Sequence, residues 1–274
     1  MNRALWKRAF LQSRLHLAIS CLLLVLFGWF FLWLMSRLEV GAWAGLLRLM
    51  PHFVQPMLAV PITALSTPVG QISVLYVHVV TTLVCLAWAI GEGSDCVAGQ
   101  IARGTMEHLL TLPIRRVTVL IVSMGVSTLG AALLAGSIWL GMLLGLLTTR
   151  LGSEVSARAF LPGALNLWAM MFCLAGITTL ISTFNRDRWQ TIKFAGGFFV
   201  VSLIVKMIAR MWPEGEWLRW LTFLAAFEPQ RLILETGNDG RLSFEYNATL
   251  AGLGLAAYLL GALVLSYRDI PVSR

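Results

Sequence analysis

The chain has 274 residues, a mean hydropathy of +0.79 and only 12% charged residues, about half the charged share of a soluble domain. So few charges cannot cover a water-soluble fold, and the apolar residues come in runs long enough to cross a hydrocarbon core, which takes about 20 helical residues. The runs do not alternate, which excludes a membrane β-barrel. The net charge of +8 sits in short Lys/Arg clusters between runs, the pattern that orients a membrane protein, so nucleic acid is excluded as a partner.

The fold class is therefore an all-α polytopic membrane protein with six transmembrane helices, one domain over residues 1–274. At its start, NRALWKRAFLQSR puts Leu5, Trp6, Ala9 and Phe10 on one side of a helix and Arg3, Lys7 and Arg14 on the other. Residues 1–16 are expected to form an N-terminal interface helix lying against lipid. The first span, about 17–35, is followed by no small-residue cleavage site, so it reads as retained. The second, about 72–90, carries His78 in YVHVVTT with Thr81 and Thr82 one turn on. His78 is a candidate intramembrane contact, either to a proton or substrate or, as a neutral imidazole, to a neighbouring helix.

The third span, about 117–149, would be about 50 Å long as a helix against a core of about 30 Å. It must tilt, bend or project, and Gly125, Gly130, Gly136, Gly141 and Gly145 offer places to bend or pack closely. Gly141-x-x-x-Gly145 fits a dimer-packing face. The fourth span, about 161–183, holds Asn166, a candidate interhelical hydrogen-bonder. Near the end of the fifth, about 194–212, Lys206 and Arg210 lie one turn apart; they can snorkel or meet an anionic substrate. Between Pro213 and Asn247, EWLRWLTFLAAF is too short to span and reads as an interfacial or re-entrant helix before the sixth span, with Trp212, Trp217 and Trp220 in a headgroup belt. The sixth span is about 248–266. Cys21, Cys85 and Cys173 fall inside apolar runs and Cys96 alone in a polar loop, so no disulfide framework is available.

Basic clusters precede the first span, follow the second, separate the fourth from the fifth and end the chain. They alternate as one side of a membrane should, which places both termini in the cytoplasm of a cell, with the protein in its inner (cytoplasmic) membrane.

Between the second and third spans stands QIARGTMEHLLTLPIRR. Gly104 breaks the preceding structure, Thr105 is placed to cap a new helix, and Glu107 in its first turn complements the helix dipole. Met106, Leu109 and Leu110 make one apolar side; Arg103 and His108 flank it. Pro113 ends the helix, since the residue before a proline is biased away from the α region. Segment 94–112 thus contains a short amphipathic helix on the cytoplasmic side, which needs something to pack on: its own membrane domain or a partner.

This stretch resembles the segment between the second and third spans of the permease subunits of ABC transporters with the type-2 exporter fold. Gly104, Thr105, Leu109, Leu110, Pro113 and Arg116 match the pattern of Gly-Thr, a Leu-Leu helix, proline and a basic residue. The permease type associated with copper-enzyme maturation is the most similar. The resemblance implies that the helix is a coupling helix docking into a separate ABC ATP-binding subunit. It further implies that ATP and Mg belong to that subunit, that this chain holds no cofactor of its own, and that it pairs with a second permease half as homodimer or heterodimer. The six spans, inner termini and terminal YRDIP agree. Two departures bear on contacts to the partner: Gln100 and Ala102 stand where such permeases often carry a carboxylate, and Ser123 where a lysine is common.

No G-x-x-x-x-G-K-[ST] occurs, so the chain has no P-loop to cradle ATP phosphates. An intramembrane enzyme would need a motif such as HExxH or G-x-S-x-G, and neither is present. An ion-coupled secondary transporter would need carboxylates inside the membrane, whereas the 13 acidic residues fall in loops or at span ends. A non-transport membrane scaffold is the remaining alternative to a permease.

Overall fold

The structure is a computed structural model that describes residues 3–37, 45, 49, 51, 58–105, 116–153, 155–235 and 240–267. Among these there is no strand, and six helices are long and apolar enough to cross a membrane: Leu5–Met35, Pro68–Ala102, Val117–Thr148, Ala157–Phe184, Arg188–Met211 and Arg241–Tyr267.

The fourth helix is the axis of the bundle. Of its most apolar window, 72% is buried inside the chain, against 22–39% for the other five. It packs on the second, third, fifth and sixth helices, while the first helix leans chiefly on the third. Small residues on the fourth helix, Gly163, Ala164, Ala169, Ala175 and Gly176 among them, are all buried and let neighbouring backbones approach on several sides.

Two boundaries differ from the sequence reading. Arg3–Met35 is one unbroken helix of 33 residues, so residues 3–16 do not form a separate interface helix. Nothing near residue 16 interrupts the backbone, and the Trp6 ring finds a groove at Gly125 of the third helix. The second helix is longer than expected at both ends and is broken in the middle. Thr67 caps it by accepting from the Gly70 amide at 3.0 Å, with Pro68 in the first turn. The α-helix stops at Ser73, passes through a 3-10 turn at Val74–Tyr76, and restarts at Val79. It then continues past the apolar run through a π-helical turn, Asp95–Gly99, to Ala102. Glu92, Asp95 and Cys96 therefore lie in a helix, not a loop, and Cys96 is buried.

The segment after the fifth helix divides in two. Its first part, Pro213–Leu221, is a 3-10 turn carrying the exposed Trp217 and Trp220. Its second part turns inward: Phe223, Leu224 and Ala226, then the short helix Pro229–Leu234, are buried against the bundle. Thr222 makes the corner, its hydroxyl donating to the Ser202 carbonyl at 3.0 Å and accepting from the Leu224 amide at 3.2 Å.

Candidate functional site

Asp95 is the centre of the polar network where the second helix leaves the bundle. Its carboxylate receives both ends of the Arg103 guanidinium, at 2.6 and 2.8 Å. Gln12 of the first helix donates to it at 3.0 Å and Gln100 at 3.4 Å, and Arg188, opening the fifth helix, approaches to 3.6 Å. One side chain thus binds three helices. The paired carboxylate raises the Arg103 pKa further above its ordinary value. Bidentate pairing of this kind fixes direction as well as distance.

The π-helical turn is what aims Asp95. A π-turn holds one residue more than an α-turn and leaves amides without their usual intrahelical partners. Ser182 of the fourth helix meets that need. Its hydroxyl accepts from the Val97 and Ala98 amides at 3.3 and 2.8 Å, and sits 3.2 Å from the Ser94 carbonyl, to which it donates. Eight residues after Asp95, Arg103 closes the helix and Gly104 follows in the left-handed region with φ of 69°, where an L side chain would be strained. Thr105 is itself helical. Its hydroxyl donates to the Gln100 side-chain oxygen at 2.6 Å. Of the expected coupling residues, Arg103, Gly104 and Thr105 are described; Met106, Glu107, His108, Leu109, Leu110 and Pro113 lie outside the described residues.

The intramembrane candidates do not converge. His78 sits at the break in the second helix, where its Nδ1 accepts from the Val80 amide at 3.2 Å and its ring packs against Phe27 and Phe31. It caps its own helix rather than bonding a neighbouring one. The carbonyls freed by the break are taken by threonines: Thr81 donates to Leu75 at 2.8 Å and Thr82 to Val77 at 3.5 Å. Asn166 is fully buried. It donates to the Ala226 carbonyl and to Asn247 Oδ1 at 3.0 and 2.9 Å, and accepts from the Glu228 amide at 3.0 Å. It pins the inward-turning segment to the fourth and sixth helices.

Lys206 does not snorkel. Its ammonium donates to the Phe227 carbonyl at 2.6 Å and pairs with Glu228 at 3.0 Å; Arg210 pairs with the same carboxylate. Gly141 and Gly145 do not form a free dimer face either. A Cβ on Gly141 would collide with the Val25 backbone of the first helix, and one on Gly145 with the Leu32 side chain. The pair is consumed by packing within the chain, with Trp29 Nε1 donating to Thr148 Oγ1 at 3.1 Å just beyond it.

Residues 8–269 match the family described as ABC-2 family transporter protein. The chain belongs to that family. No curated protein and no solved structure matches it. Family membership makes this ABC-2 chain the multi-pass membrane subunit of an ABC transporter, a kind of subunit that works with an ABC ATP-binding subunit. The match reaches the ABC-2 level; the likeness to the copper-enzyme-maturation type rests on the quoted motif.

Two acidic residues that organise this ABC-2 chain were not singled out in its sequence. Asp95 is one, and the signal was there: a carboxylate, with Glu92 one turn before it, at the close of an apolar run and two turns before Arg103. Glu228 is the other, the single acid in LAAFEPQ. Ser182 carried no signal, since a serine in an apolar span is ordinary and the π-turn it serves has no sequence signature.

Proposed function

We propose that this chain is the membrane subunit of an ATP-driven ABC exporter, moved by a separate ATP-binding subunit that docks on the coupling segment around residues 103–112. The Asp95 network carries the reading. It ties the root of that segment to the first, second and fifth helices, so a displacement applied beyond Gly104 is transmitted to half of the bundle. A second permease half completes the translocation path, and the coupling end faces the cytoplasm together with both termini. ATP and Mg act on the partner, and this chain contributes movement instead of chemistry. Closure of the ATP-binding dimer rotates the two membrane halves and exchanges access between the two sides.

The test is purification of the tagged full chain in mild detergent with identification of what accompanies it. A stoichiometric protein carrying a Walker motif is expected, and the double substitution Glu107→Lys, Leu109→Asp is expected to abolish its recovery while membrane insertion is retained. Unchanged recovery from the double variant would sink the docking site, and a clean preparation after crosslinking in cells would sink the ATP-driven reading.

A further inference from the structure

At the end of the bundle opposite Asp95, two cavities meet. One, of about 340 Å³, contains Lys206, Arg210, Arg219 and Arg231 in its wall with two carboxylates, Glu216 and Glu228, among the described residues. The other, of about 910 Å³, is walled largely by apolar and aromatic side chains, among them Phe198, Trp220, Leu221, Phe223 and Leu253. Arg219, Glu216, Ala225 and Tyr246 line both, so the two are chambers of one groove between the fifth helix, the sixth helix and the segment that joins them. Both volumes fall in the range of small-molecule sites, about 300–1,000 Å³.

We infer that this groove binds one anionic amphiphile of the phospholipid class, headgroup in the basic chamber and tail in the apolar one. The charge pattern selects the head. One carboxylate, Glu228, pairs with both Lys206 and Arg210, and the Arg231 guanidinium is positioned by Glu235 and the Tyr246 hydroxyl, which accept from its Nε and Nη1 at 2.8 and 3.2 Å. Arg219 touches only one oxygen of Glu216, in a pair exposed on both sides and therefore weak. Its planar fork suits a phosphate oxygen pair better than a lone carboxylate oxygen does. The apolar chamber selects the tail. Trp220 and Leu221 stand 91% and 65% exposed at its rim. A free inorganic anion would leave that chamber unused. The inference concerns binding alone and holds for either direction of transport.

The experiment is native mass spectrometry of the full chain, with any tightly held partner, after titration with phosphatidylglycerol or with phosphatidylcholine. One phosphatidylglycerol per chain is expected, with phosphatidylcholine occupying the site far less. Arg219→Ala with Arg231→Ala is expected to weaken occupancy about tenfold or more, the cost of losing charged hydrogen bonds. Leu253→Trp, at a half-exposed wall position of the tail chamber, is expected to do the same without touching a charge, and so serves even where the arginine variant fails to fold. Inorganic phosphate in equal excess is expected to leave the lipid bound. Equal occupancy by the two lipids, retention unaffected by either variant, or displacement by phosphate alone would each overturn the assignment.

Discussion

Glu228 is the residue whose loss should be felt most. Its side chain and that of Lys206 are 11% and 12% exposed, and the same carboxylate pairs with Arg210. Removing one member of a buried ion cluster costs about 3–5 kcal/mol when a charge is left uncompensated. Glu228→Ala leaves two cations facing each other and should lose stability on that scale, read as a shifted midpoint of denaturation in mixed micelles. Lys206→Met removes one cation but leaves Glu228 paired with Arg210, and should cost clearly less. Equal losses from the two variants would mean that packing, not charge balance, holds this corner. Asn166 acts beside it by geometry alone, since its amide spans the gap between the carbonyl of Ala226 and the amide of Glu228.

The elements were legible to different depths. Six apolar runs are a direct consequence of hydrocarbon thickness, and each has its helix. Internal breaks were not legible. The interruption at Val74–His78 falls in a run of apolar and β-branched residues with no proline or glycine in it; it exists because His78 and Thr81 supply the hydrogen bonds that the backbone gives up. Gly141 and Gly145 pack against the first helix; sequence spacing cannot say whether the partner helix of such a pair is in the same chain. The expected coupling segment is proposed from its motif through Gly104, while the Asp95 network behind it depends on contacts between residues more than eighty positions apart. The π-turn can be tested through Ser182, which bonds its backbone from the fourth helix. Ser182→Ala would leave the Val97 and Ala98 amides buried without an acceptor, at about 1–3 kcal/mol each for such groups, and should raise amide hydrogen exchange at these two positions ahead of the surrounding helix. Exchange that stays uniform along the second helix would show that the turn is held by something other than Ser182.

At the scale of the molecule, the fourth helix is shared by nearly every other, whereas the fifth is only 22% buried over its most apolar window. The fifth is nevertheless tied at both ends: by Arg188 to Asp95 and by Lys206 and Arg210 to Glu228. Those two ends lie on opposite sides of the bundle, which gives the proposed orientation a simple check. A cysteine replacing Trp220 should react with an impermeant maleimide added outside intact cells, and one replacing Arg186 should react only after the membrane is opened. The reverse labelling would invert the topology and move the coupling segment away from the cytoplasm.

The π-turn also sets a rotational phase. Each residue in an α-helix advances the chain by about 100° around its axis, so the one additional residue held in Asp95–Gly99 turns everything beyond it by that angle relative to an uninterrupted helix. Asp95 faces the first helix and Arg103 returns to it because of this offset. A turn rewound as α-helix with the same residues, with no change in apolar content, would point the segment after Gly104 toward a different azimuth, about 100° away. The direction in which this subunit offers itself to a partner is therefore encoded in a residue count, not in the chemistry of the surface it presents.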